Sequence, residues 1–224
     1  MKTEQQFQDQ IRLEINRFIF NTGFAPTVDE ISAFMFADPK MIEEGLYQLA
    51  ENHVLVLHPN STKIWVAHPF ALFPTLFWVE SGHKKWWGNC AWCALGIAAM
   101  AKENTRIISS IGGEEEKFEI NIRDHELIQK DLLVHFPIPA KRLWDNVLYT
   151  CANTLTFENE KQIEDWCDRH RVEKGEVHSL ERVWELSKLW YGYYLDDGWK
   201  RKSPDVAEEI FEKVGLIGEF WKMR

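Results

Sequence analysis

Phe7, Ile11, Ile15, Phe18 and Ile19 recur at three-to-four spacing, the stripe of an amphipathic helix over residues 4 to 20, which Asn21-Thr22-Gly23 ends. Thr27 with Glu30 three residues on is a capping-box start for a second helix, whose inward side is Ile31, Phe34 and Met35. Asp38-Pro39 opens a third, with Met41, Ile42, Leu46, Leu49 and Ala50 facing inward. Val54 to Leu57 and Ile64 to Val66 then read as two strands around Pro59-Asn60-Ser61-Thr62. Three short helices and a hairpin predict a winged helix-turn-helix-like module over residues 1–67.

His68 to Pro74 is a proline-punctuated connector, after which residues 68–224 carry a different pattern. Leu76 to Glu80, Ser81-Gly82 and Trp86-Trp87 suggest a hairpin feeding a small-residue apolar helix from Cys90 to Met100. Thr105 to Ile111 and Phe118 to Ile122 read as a second hairpin with Glu114-Glu115-Glu116 as its solvated turn. Leu132 to Phe136 and Asn146 to Phe157 are strand-like, and the latter contains Cys151. Helices return at 158–171, 179–195 and 204–214, the last bracketed by Ser203-Pro204 and Gly215. The expected class is therefore α+β: the helical module, then a mixed, mostly antiparallel sheet with flanking and C-terminal helices.

Charge changes the reading of the first module. Residues 1–70 hold five basic side chains (Lys2, Arg12, Arg17, Lys40, Lys63) against nine acidic ones, and the third helix carries Glu43, Glu44 and Glu51. With a formal net charge of −9 for the whole chain, there is little counterion-release gain on a phosphate backbone, so no nucleic-acid partner is expected and the module reads as a cap packed on the second domain. No signal-peptide pattern and no long apolar run occurs, so neither membrane insertion nor secretion is expected and the compartment expected is the cytoplasm. Four cysteines in that setting are reduced thiols, which directs attention to metal binding or catalysis.

Cys90 and Cys93 stand three apart at the head of the apolar helix, a spacing that sets both sulfurs on one face. Trp86, Trp87 and Trp92 are expected to seal that helix head, and a helix N-terminus favours thiolate over thiol. Such a pair suits soft-metal or nucleophile chemistry; buried cysteine also serves simply as a small hydrophobe. Cys167 falls beside Trp166 on an amphipathic helix and reads as a core residue. No histidine pair has metal-ligand spacing, and His83, His125, His135 and His170 read as surface or satisfied polar residues.

Three features together resemble the alkylmercury (organomercurial) lyases. Asn89-Cys90-Ala91-Trp92-Cys93-Ala94-Leu95 is similar to the family's Trp-Cys-Ala-Leu-Asp-Ala-Leu segment; Cys151, sixty-one residues on and followed by Glu164-Asp165-Trp166, resembles its second catalytic cysteine and downstream Glu-Asp-Trp; and the order of parts is the same. After about residue 175 only Trp190-Tyr191-Gly192 and Phe220-Trp221 look like distant members. The resemblance implies that Cys90 and Cys151 take an organomercurial between them, because Hg(II) is soft and thiolate is the softest protein ligand. A proton then goes to the mercury-bound carbon. The family's proton carrier is an Asp three residues after the first cysteine, and here that position is Cys93. A thiol of pKa about 8.5 holds a proton to give at pH 7, and it also ligates mercury.

No cofactor is implied; Hg(II) is substrate and product, with small thiols or mercuric reductase as its acceptors. The other readings are a non-catalytic thiolate site for Hg, Cu or Zn, built from Cys90, Cys93 and Cys151, and a metal-sensing winged-helix regulator. Oligomeric state is not legible.

Overall fold

The computed structural model describes residues 3–224. Three helices open the chain: α1 (Glu4–Thr22), α2 (Val28–Met35) and α3 (Pro39–Glu51). Thr3 and Thr27 close capping boxes with Gln6 and Glu30, and Asp38 caps α3 ahead of Pro39. Ile11, Ile15, Ile19, Ile31, Ile42, Leu46 and Leu49 bury together, whereas Phe34 and Met41, expected inward, are exposed.

Next come β1 (Leu55–Leu57), β2 (Ile64–Ala67), β3 (Phe70–Ala71), β4 (Phe77–Ser81), β5 (Lys84–Gly88), α4 (Ala91–Ala101), β6 (Thr105–Ser110), β7 (Lys117–Arg123) and β8 (Glu126–Leu127). These strands form one sheet in the order β1-β2-β3-β5-β4-β6-β7-β8, with every described pairing antiparallel. The connector at 68–74 is thus not a bare linker: Phe70 and Ala71 pair with both β2 and β5. The chain continues through β9 (Leu133–Phe136), α5 (Val147–Asn153), β10 (Thr156–Phe157), α6 (Glu160–His170), β11 (Glu176–Ser179), α7 (Leu180–Tyr191) and α8 (Pro204–Lys213), with β10-β9-β11 as a second, three-stranded sheet. The architecture is α+β. The strand-like reading of 146–157 is corrected here: Asn146 accepts from the Tyr149 N–H and caps α5, so Cys151 lies on a helix.

The central element is α4, buried from Ala91 to Met100 because it is apolar around its whole circumference. It packs on the large sheet on one side and on α7 on the other. Gly88 and Gly96 allow that approach: a β-carbon at Gly88 would fall 2.8 Å from Ala94, and one at Gly96 would fall 2.4 Å from the Tyr191 ring. The tryptophans divide differently from expectation. Trp92 stays near the thiols, while Trp86 donates from Nε1 to the Ile19 and Phe20 carbonyls of α1, and Trp87 packs on Trp78. No helix among the described residues is long and apolar enough to cross a membrane.

Candidate functional site

Cys90 is the N-cap of α4 rather than a residue within it. Its backbone is extended (φ −156°), its carbonyl accepts the Ala94 N–H, and its sulfur accepts the Cys93 N–H at 3.4 Å. The sulfur thereby takes the place a Ser or Asp oxygen occupies in other caps, facing the unsatisfied N–H groups of a helix start. Cys93 is on the first turn. Cys151 comes in from α5 because the Ala91 N–H donates to the Thr154 carbonyl at 3.2 Å, lashing the two helices together. All three thiols are less than a tenth exposed.

The fourth member is His68. The Asn89 N–H donates to the Pro69 carbonyl, which sets residue 68 beside residue 89. The Asn89 amide donates to His68 Nε2 at 3.1 Å, which makes Nε2 the acceptor and leaves the proton on Nδ1. Cys151 Sγ lies 3.8 Å from the same nitrogen. One ligand atom from each of His68, Cys93 and Cys151 falls within 4.8 Å of the others, close enough to share a metal ion. Sequence reading missed His68, since it stands alone in a proline-bearing connector; only the β2–β3–β5 pairing delivers it.

Electrostatics separate the three thiols. Burial by itself raises Cys90, but the thiols of Cys151 and Cys93, with the Cys93 N–H, point hydrogens at its sulfur and hold it well below the usual thiol range. Burial pushes Cys93 well up, and the hydrogen bond to Cys90 does the same to Cys151. Of the three, Cys90 is the sulfur whose surroundings favour the thiolate, while those of Cys93 and Cys151 favour the thiol. Burial lowers His68 to about 4, so it is a neutral imidazole at pH 7. The Tyr191 hydroxyl lies 3.8 Å from Cys93 Sγ, and burial raises it, so it stays a phenol.

These groups line a cavity of about 190 Å³ whose wall, among the described residues, includes no aspartate or glutamate. Asp145, Glu164 and Asp165 are instead on the surface, paired with Arg142, Lys174 and Lys161. A second hollow of about 400 Å³ meets the site at Asn89 and Cys151. A more open groove of about 460 Å³ between α3, β1 and residues 144–148 contains no thiol. Cys167 stands apart, buried with its sulfur 3.8 Å from His135 Nε2. His135 is itself fully buried, while His83, His125 and His170 are exposed.

The α+β fold closes three thiols and an imidazole around one cavity, a donor set whose chemistry suits soft metals. The family model described as alkylmercury lyase matches residues 70–192, and the chain belongs to that family. The crystal structure of the mercury-bound form of MerB2 is similar in fold, with a TM-score of 0.66 and 18% identity over 86% of this chain and 98% of that one. No curated protein matches the chain.

Proposed function

We propose that the chain captures organomercurial cations on Cys90 and Cys151 and cleaves the carbon–mercury bond with the proton of Cys93. The observation that carries this reading is the convergence of three buried cysteines, Cys90, Cys93 and Cys151, on one cavity that no described carboxylate lines. The Cys90 thiolate attacks mercury in an R–Hg–thiolate adduct and expels the small thiolate. Cys151 gives its proton to that leaving thiolate and becomes the second sulfur on mercury. Two sulfurs push electron density onto the carbon, and Cys93 delivers its proton there, releasing the hydrocarbon. Charge balances: the cluster starts with one negative charge and two protons, and ends as a singly negative mercury complex of three sulfurs.

No carboxylate lines the cavity, so the S–H of Cys93 takes the role that the resemblance gives to Asp. His68 packs beside Cys151, and the Tyr191 phenol lies within reach of Cys93 to steady the thiolate left behind. Mercury loading measured by native mass spectrometry tests the pairing. One mercury per wild-type chain is expected, with loss of tight binding in Cys90→Ser or Cys151→Ser and near-normal loading in Cys167→Ser. Equal loading of wild type and Cys151→Ser would contradict it.

The short distances among His68, Cys93 and Cys151 favour one competing reading, a permanent site for zinc or copper. Metal analysis of protein purified without mercury separates the two. Stoichiometric zinc or copper supports the static site; metal-free protein with three mercury-reactive thiols supports the lyase.

A further inference from the structure

Besides the exposed Arg201, two cations without an ion-pair partner line the cavity of the thiols. Arg12 enters from α1, 5% exposed, with its guanidinium 3.3 Å from the Trp199 ring centre and 4.1 Å from that of Tyr194. Half-buried Lys202 has its Nζ 4.7 Å from the same Tyr194 ring and donates to the Trp190 carbonyl at 2.8 Å. Neither forms an ion pair among the described residues, although the chain has 35 acidic side chains and sets many of them beside exposed lysines and arginines. Both line the cavity that holds Cys90, Cys93 and Cys151.

The unpartnered polar atoms agree in kind. Four side chains on this wall have a buried nitrogen without a partner: Arg12 Nη2, Trp199 Nε1, Trp92 Nε1 and His68 Nδ1. With the His68 tautomer set by Asn89, each of them is a donor. Buried charge and buried donors are costly unless something accepts from them. Burial lowers Arg12 to about 10 and Lys202 to about 8, values that leave both mainly charged at pH 7. The aromatic faces of Tyr194, Trp190 and Trp199 hold the cations in place without neutralising them.

The geometry points to an anion-binding subsite, formed by Arg12 and Lys202, that takes the carboxylate of a ligand whose mercury end reaches the thiols. A guanidinium recognises carboxylate through paired hydrogen bonds, which is why carboxylate is the chemistry assigned. The cavity of about 190 Å³ suits a small aryl group, since about 150 Å³ suffices for benzene. The mercury part of this inference rests on the lyase reading; the carboxylate part does not. The carboxylate has two sources, the organic group on mercury or the small thiol carried with it.

The test has two arms. In the first, calorimetry measures binding of benzoate to mercury-free wild type, Lys202→Met and Arg12→Gln; Lys202→Met keeps the test valid if loss of the buried arginine prevents folding. Saturable binding that weakens about tenfold or more in the variants is expected. In the second, stopped-flow capture rates compare phenylmercury with 4-mercuribenzoate, each as its mercaptoethanol or mercaptoacetate adduct. Capture of a carboxylate-bearing probe about tenfold faster than the neutral one, with the advantage lost in Lys202→Met, supports the subsite, and whichever carboxylate gives it identifies the source. No benzoate binding together with equal rates for all four probes overturns the subsite, even if hydrocarbon is released. Benzoate binding without any hydrocarbon release overturns the lyase reading and leaves the subsite standing.

Discussion

Position 93 holds a thiol where the proposed reaction needs a proton donor, and a thiol differs from a carboxyl once that proton is gone. In the proposed reaction, Cys93 becomes a thiolate beside a mercury ion held by Cys90 and Cys151, and would add a third sulfur ligand. The wild-type protein is therefore expected to cleave once, or slowly, and to retain its mercury. Cys93→Asp should raise multiple turnover on phenylmercury in excess small thiol by about tenfold or more, the usual worth of a positioned acid that leaves the product free. Hydrocarbon released per mole of protein, followed over many equivalents, checks this; a variant slower than wild type would show the thiol to be the better donor.

His68 supplies a pH dependence. Its folded pKa of about 4 lies below the 6.5 of an exposed imidazole, so the unfolded chain binds a proton in that window and the folded one does not. The resulting stability is fully present above pH 6.5 and is lost as pH falls towards 4, by at most about 3 kcal/mol. Urea unfolding of wild type and His68→Gln at pH 7 and pH 4.5 should show the wild type losing more. Parallel losses would mean that the imidazole is not held neutral. Arg12 and His68 were the residues hardest to find. Arg12 does leave a trace: Gln8, Arg12 and Asn16 stand four apart on the buried face of α1, a polar row beside the apolar stripe. His68 leaves none, because no local pattern states which loop a sheet will draw against a helix start.

Among the elements, the long amphipathic helices were legible because apolar period and capping residues agree; Thr27, Asp38, Ser203 and Pro204 mark their ends as expected. The segment 146–157 was not, because Val147, Thr150, Thr154 and Thr156 are β-branched and α5 has only seven residues, too few to display a helical period. The cap by Asn146 was the overlooked sign. Likewise, the Cys90/Cys93 spacing was read as one helical face, whereas capping, not helical periodicity, brings the two sulfurs together. The seam between α4 and α7 depends on Gly96. Gly96→Ala should cost about 1–3 kcal/mol and push the Tyr191 ring from its place beside Cys93. Thermal unfolding together with the reactivity of Cys93 measures both, and an undisturbed variant would show the seam to be loose. Arg17 of α1 is engaged by the Leu195 carbonyl and Asp197, and Arg12 faces the cavity, which removes two of the few cations in the N-terminal module. A gel-shift series with random duplex at low salt should accordingly show no micromolar binding; salt-sensitive micromolar binding would contradict the expectation of no nucleic-acid partner.

Taken whole, the molecule gathers its site from four distant stretches, around residues 68, 90, 151 and 191, on two sheets' worth of scaffold. The α+β class and the candidate cysteines were legible from element types and a short motif; the division into two sheets and the cavity's far wall were not, since both depend on long-range pairing. The proposed mercury bridge between Cys90 and Cys151 would join α4 to α5 and so link binding to global stability: at a thousand times its dissociation constant, a ligand adds about 4 kcal/mol, or roughly 8–16 °C in midpoint for a chain of this size. Whether these thiols break a carbon–mercury bond is decided by the fate of the organic group. One equivalent of phenylmercury should therefore be mixed with wild-type protein in a sealed vial and the headspace assayed for benzene. The expected result is up to one benzene per chain, with mercury left on the protein and no benzene from Cys93→Ser. Quantitative mercury capture with the phenyl group still attached, and no benzene, would contradict it.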